Sequence, residues 1–290
     1  MDWDRQVSGA PVVESQAQAK AIQDAYDAAR KAYADQNLEE CVRLYDIIVQ
    51  LDPKSFVWYE RRGQVLVDAN RFEEALKDFE KAEALTPAQY KSVGLLANKG
   101  LAHEGLYMWR DALDDYNQAI EIGGSIGNKY PYVLNSRGNV YAALGEWGRA
   151  REDYLASAAI FQESRILSSA IFAQGNAALM LTQLGEDDRA IRELKAAARR
   201  GPASIDFRAA IAALQWNLGQ REQAASVWHD ACVNIRSGQL RSNGPTYDSC
   251  GDFADKDWLL KIRRWPPRLT TLMDTFLQEL AADERERLAS

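Results

Sequence analysis

Three sets of residues in this 290-residue chain have types and spacings that could do chemistry. Gly123-Gly124-Ser125-Ile126-Gly127 fits the Gly-x-Ser-x-Gly arrangement, in which a serine nucleophile is pushed out of a strained strand-to-helix turn. Its flanks read as a helix end and a linker. The two histidines, His103 and His229, each fall inside a helical pattern, so no set of serine, histidine and acid can be assembled. Cys41, Cys232 and Cys250 are too few and too scattered for a CxxC metal site or a disulfide framework. They fit a reducing compartment, with a Cys232–Cys250 pair open only if the C-terminal tail folds back. Last, Lys256, Lys261, Arg263, Arg264 and Arg268 outnumber Asp257 in a short segment that also holds Trp258 and Trp265. Aromatics among cations suit an anionic membrane surface, where each cation is worth about 1 kcal/mol. There is no His-Glu-x-x-His motif, Gly-rich phosphate loop or paired metal ligand, so the chain is expected to be no enzyme and to hold no metal and no cofactor.

These residues can act only where the elements place them, and the elements follow from an internal repeat. Cys41, Ala75, Ala112, Ala150, Ala190 and Ala224 recur at intervals of 34 to 40 residues. Four positions after each stands a large side chain: Tyr45, Phe79, Tyr116, Tyr154, Leu194 or Trp228. That spacing puts both on one face of a helix. An earlier set of small residues, Gly63, Gly100, Gly138, Ala178 and Ala212, lets a first helix approach this second one within the usual ~8–10 Å. Between them Leu144-Gly145-Glu146, Leu184-Gly185-Glu186 and Leu218-Gly219-Gln220 supply a glycine able to end a helix with positive φ, and Pro53, Pro87 and Pro202 stop the second helices. No segment alternates with period two, and the chain is rich in Ala with only 18 Gly and 8 Pro. The fold class is therefore all-α.

The unit from Phe56 to Pro87 carries Trp58, Tyr59, Gly63, then Asn70-Arg71-Phe72-Glu73-Glu74-Ala75, then Phe79, Ala82 and Pro87. In this pattern the chain resembles the tetratricopeptide repeat family over residues 21–236, in about six units. The first unit departs from the family with Cys41 in place of Ala, and the fifth with Gly175 displaced and Gln174 where an aromatic or Leu is usual. The resemblance implies a right-handed α-solenoid with a concave groove lined by the first helices, and a function in protein–protein interaction. The domain plan is a lead at 1–20, the array at 21–236, a polar loop at 237–254 and a helical tail at 255–290 that caps the array.

The groove-facing candidates are Tyr26, Arg30 and Tyr33; Glu60, Arg61 and Gln64; Asn98 and Leu101; Tyr132, Asn135 and Asn139; then Phe172, Thr182 and Trp216. Asn and Gln both donate and accept hydrogen bonds, so they can hold an extended peptide backbone while aromatics grip its side chains. Arg30, Glu60, Arg61, Gln64, Asn98, Tyr132, Asn135 and Asn139 are taken as the partner-binding set. Repeats of this family that grip the acidic ends of chaperones use a clamp of Lys and Asn over three units. The matching places here, Tyr26, Arg30, Arg61, Gly94 and Asn98, do not supply it, so a chaperone-tail clamp is disfavoured. A net charge of −7 argues against nucleic acid as partner.

Leu269, Leu272, Met273, Phe276, Leu277 and Leu280 form an apolar stripe at helical spacing after Pro266-Pro267. This tail has three readings: Trp258, Leu259, Ile262 and Trp265 seal the last repeat while the cations reach solvent; the stripe lies in the chain's own groove; or Trp258, Arg263, Arg264 and Trp265 touch a membrane. The run from Trp258 to Pro267 is similar to the ends of some repeat proteins of cyanobacteria and chloroplasts, a family associated with photosystem assembly. The N-terminus lacks the basic and apolar segments of an export signal, and the charge-free run 166–185 is broken by Gln174, Asn176, Thr182 and Gln183. The sequence thus points to a non-enzymatic scaffold in a reducing intracellular compartment, holding a peptide or subunit as an assembly factor. The alternative is a peripheral membrane factor.

Overall fold

The structure, a computed structural model, describes residues 16–87, 92–125, 129–201, 205–236 and 250–289. Every regular element among them is helical. Two compact units divide the chain, Met1–Asn128 and Lys129–Ser290. The first holds α1 (Gln16–Ala34), α2 (Leu38–Leu51), α3 (Phe56–Asp68), α4 (Phe72–Leu85), α5 (Val93–Gly105) and α6 (Trp109–Ser125) as three hairpins. The second holds three more, from α7 (Pro131–Ala143), α8 (Trp147–Glu163), α9 (Leu167–Gln183), α10 (Asp187–Arg200), α11 (Ile205–Asn217) and α12 (Arg221–Arg236). After these come a 3₁₀ turn (Cys250–Ala254), a π-helical turn (Trp258–Ile262) and α13 (Pro267–Ala289). Helix thus begins five residues before Ala21, and 250–254 is helical where a loop was expected. Gly123 and Gly124 lie within α6, preceded by helix rather than strand; Ile126 and Gly127 fall outside the described residues, as does the loop at 237–249.

Gly63, Gly100 and Gly138 each seat the aromatic sixteen positions on. A Cβ on Gly63 would stand 2.5 Å from the Phe79 ring, one on Gly100 2.6 Å from Tyr116, and one on Gly138 2.9 Å from Tyr154. Those rings are buried, so a side chain at any of the three glycines would drive the helices apart. Beside each contact runs a buried ion pair in the same register. Arg62 grips Asp78 with two bonds of 2.7 Å, and Arg137 grips Asp153 likewise. In the third hairpin Asp115 instead accepts from His103 at 2.7 Å, with Lys99 at 3.8 Å.

The hairpin turns share one geometry. Gln36, Asn70, Tyr107, Gly145, Gly185 and Gly219 are all left-handed, with φ of 58°, 58°, 60°, 79°, 78° and 76°. In each case the next amide donates back to a carbonyl of the first helix: Asn37 to Ala32, Arg71 to Leu66, Met108 to His103, Glu146 to Tyr141, Glu186 to Leu181 and Gln220 to Gln215, at 2.8–3.0 Å. This 6→1 bond closes the helix end.

The fifth and sixth hairpins pack differently. Gly175 is displaced because it receives Phe207 of α11, whose ring would clash with any Cβ there. On α11 every residue from Ile205 to Trp216 except Arg208 is buried. A helix covered on all sides needs a neighbour on the face that other first helices leave open, and here that neighbour is α13. It lies mainly on α11 and partly on α9, burying Leu269, Met273 and Phe276 at 0% exposure, with Leu272, Leu277 and Leu280 half-buried beside them.

Candidate functional site

In the first unit the first-helix face of α1 and α3 gathers an aromatic and cationic cluster. The Tyr26 ring lies 5.6 Å from that of Trp58. The Arg61 guanidinium sits over Tyr26 at 4.9 Å and donates to its hydroxyl, while Arg30, exposed, lies over the same ring at 5.9 Å. Cation–π contacts of this kind hold a guanidinium in place. Glu60 accepts from the Ser92 hydroxyl at 2.9 Å. Burial raises its carboxyl above the usual range, with Ser92 and Arg61 pulling the other way. Gln64 is exposed and Asn98 half-buried. Arg30, Arg61, Tyr26 and Trp58 are thus brought together, with Glu60 within the field of Arg61. Tyr33 stands apart, donating to Asp68 at 2.7 Å.

In the second unit Tyr132 is 50% exposed, its ring set edge-on at 4.7 Å from Phe161. Asn135 is half-buried on the same helix. Asn139 is half-buried too, and its Oδ1 accepts from the Tyr154 hydroxyl at 2.8 Å. Its amide N–H groups therefore point to the donor role in any contact. Phe172 is 50% exposed. Thr182 and Trp216 are buried at 0% and 6%, because the tail covers them. They are not open groove positions.

In the tail Leu259 and Trp265 are buried and Trp258, Arg263 and Arg264 half-buried, whereas Ile262, expected in the seal on the last repeat, is 62% exposed. Trp265 is 2% exposed and packs on Phe253, which also meets Trp228 and Trp258. Arg263 binds Asp206 at 2.8 Å through Nε and by a second, shorter contact. Arg264, left-handed at φ 54°, is held below the usual guanidinium range by burial. Arg268 forks onto Asp187 at 2.6 and 2.7 Å, donates to the Thr182 carbonyl, and its backbone amide donates to Gln183 at 3.0 Å. Trp216 Nε1 donates to Glu279 at 2.9 Å, and Arg221 reaches Glu279 and Asp283. Asp187 and Asp206 were missed in the sequence. The signal for Asp206 is the run of small and apolar residues from Ala209 to Leu214 that follows it and marks α11 as a buried helix.

Cys232 of α12 is joined to Cys250 by a disulfide, the pairing the sequence left open, while Cys41 is free and buried. The scattered cysteines therefore no longer argue for a reducing compartment. Burial pushes the Cys41 thiol up to about 11, so it stays a neutral packing group. Among the described residues no group of three or more His, Cys, Asp or Glu is placed to hold a metal ion, and no helix is long and apolar enough to cross a membrane.

No family model matches the chain. Among curated proteins it is 30% identical over 115 residues to the DnaJ homolog subfamily C member 7 homolog of Schizosaccharomyces pombe, covering 38% of this chain and 24% of that one. It is 28% identical over 118 residues to tetratricopeptide repeat protein 6 of Homo sapiens, covering 40% of this chain and 21% of that one. The match thus spans under a quarter of the length of either relative. Among solved structures, a tetratricopeptide repeat protein from Parabacteroides merdae superposes with a TM-score of 0.58 at 14% identity, covering 89% of this chain and 98% of the other. Six helix pairs closed by left-handed turns, three of them with a glycine-to-aromatic contact at a step of sixteen, agree with that likeness: the chain has the helix-pair fold seen in that tetratricopeptide repeat protein.

Proposed function

We propose that the chain is a non-enzymatic interaction scaffold that holds a peptide or partner subunit on the first-helix faces it leaves open. One observation carries this reading: on α9 and α11 such a face already accepts a polypeptide segment, through apolar side chains, forked arginines and a bond from the segment's backbone to Gln183. The open faces carry polar and aromatic groups in place of the acids and apolar residues of the occupied one. In the first unit these are Arg30, Arg61, Glu60, Gln64 and Asn98, and in the second Tyr132, Asn135 and Asn139. Cations and amides there suit an extended or acidic segment. A rigid, preformed face binds such a segment with little ordering cost. Holding a subunit during complex assembly is the finer form of the proposal, and the photosynthetic setting rests on the resemblance of the tail. The inward placement of Trp258, Arg263, Arg264 and Trp265 favours packing over a membrane role for the tail.

Affinity capture with the wild-type chain and with a Tyr132→Ala/Asn135→Ala/Asn139→Ala variant tests the second-unit face, and Arg30→Ala/Arg61→Ala tests the first. A partner held by the wild type and lost from one variant, with helical content retained, is the expected result. Partners retained by both variants would refute these faces as binding sites.

A further inference from the structure

We infer that the face of α9 and α11 is a second binding site, fitted to an amphipathic helix that is cationic near its N-terminal end, and that the chain's own α13 fills it under the hold of the Cys232–Cys250 disulfide. The proposed partner residues Tyr132, Asn135 and Asn139 do not touch α13 in any bond described above, so either proposal can fail alone.

The chemistry of the face selects its occupant. Asp187 and Asp206 are buried, 9% and 7% exposed, and their cationic partners come from the tail: Arg268 for the one, Arg263 for the other. Uncovering them leaves two carboxylates beside an apolar surface, which a guanidinium pair satisfies better than any neutral group. At the other end the face offers a donor, Trp216 Nε1, and a cation, Arg221, to Glu279 and Asp283. The first turn of α13 carries no acid but holds Arg268, the reverse of what the helix dipole favours. These charges match the docking face instead of stabilising α13 in isolation.

The disulfide sits where it governs this docking. Cys250 opens the 3₁₀ turn whose Phe253 packs on Trp258 and Trp265, and Lys256 pairs with Asp274 of α13 at 2.8 Å. With the bond intact the tail starts from α12 itself. Once it is cut, the tail is tethered only through the chain between Cys232 and Cys250, 18 positions apart. Lengthening a tether from a few residues to about that number lowers the local concentration of its end roughly tenfold. A dithiol reductant performs the cut by exchange: its thiolate attacks the half-buried Cys250 Sγ and displaces the Cys232 thiolate. Its second thiolate then attacks the mixed disulfide, so the reductant is oxidised to its own disulfide while two electrons and two protons leave both cysteines as thiols.

The probe is a fluorescent peptide of residues 255–289, titrated by anisotropy into the 290-residue chain, oxidised, reduced with dithiothreitol, and as Cys232→Ser/Cys250→Ser. Binding about tenfold tighter to the reduced and Ser forms than to the oxidised chain is expected, and a peptide carrying Arg263→Ala/Arg268→Ala should lose it. Hydrogen exchange on the wild type runs alongside and needs no variant to fold. Reduction should speed exchange in 267–280 by about the same factor and leave α7 and α8 unchanged. Equal peptide affinity in the oxidised and reduced chains, or α13 exchange that ignores reduction, overturns the inference.

Discussion

Two first helices, α3 and α11, occupy the same place in their hairpins and meet opposite surroundings. On α3 only Tyr59, Gly63, Val65 and Leu66 are buried, all on the side facing other repeat helices, while Glu60, Arg61 and Gln64 stay in contact with water. On α11 the same kind of surface carries Ala209 and Ala213, 0% and 1% exposed, with Trp216 at the end, and α13 lies across it. Small apolar residues let a helix come close; polar long ones keep a surface hydrated. The contrast shows that in a repeat protein the outer face of a first helix records whether the chain supplies its own ligand there or leaves the place to another molecule.

The largest effect that sharpens this contrast is in the tail. Phe276→Ala removes a fully buried ring set against Trp216 and Trp228, and should cost about 3–4 kcal/mol in chemical denaturation. Asn98→Ala on the open face of α5 should stay within about 0.5 kcal/mol. An equal loss at both places would break the distinction between occupied and open faces. Next comes the ion pair inside the second hairpin: Asp78→Ala leaves Arg62 with the more exposed Asp46 alone, and a loss of about 2 kcal/mol in the same measurement is expected. Tyr107 is a non-glycine residue held left-handed and 62% exposed, so Tyr107→Gly should raise stability by up to about 1 kcal/mol, less whatever its edge contact with Trp109 contributes. The smallest effect concerns Glu60. Its carboxyl is raised by burial, so its contribution is full below the unfolded-state value and fades as pH rises through the folded one. The stability of wild type relative to Glu60→Gln should therefore fall between pH 4 and pH 7. A difference that grows with pH would show the opposite sign.

What could be read from the sequence follows from the range of the forces involved. Gly63 with Phe79, and Gly138 with Tyr154, mark their contact by a step of sixteen residues because helix packing is local and repeated. The ion pairs one position earlier, Arg62 with Asp78 and Arg137 with Asp153, carry the same step and were equally available. The turns were visible where glycine fills the left-handed place, at Gly145, Gly185 and Gly219. They were hidden at Gln36, Asn70 and Tyr107, where other residues take the same conformation under the closing hydrogen bond. The stripe from Leu269 to Leu280 announced a buried helix face without naming its surface, since an amphipathic pattern specifies only that some apolar partner exists. The missing half of that information lay on α11, rich in small and apolar residues on every face. Of the partner-binding residues, the clustering of Arg30 and Arg61 around Tyr26 depends on two helices meeting and has no local signature.

What sets the second unit apart is that α13 lies on a face of α11 and α9. Hydrogen exchange on a Met273→Asp chain tests it most directly, because the substitution sets a carboxylate at a position with 0% exposure in that contact and nowhere else. Faster exchange is expected in α9, α11 and α13, with α3, α5 and α7 as in the wild type. Unchanged exchange in α11, or an equal loss of protection in every hairpin, would contradict it.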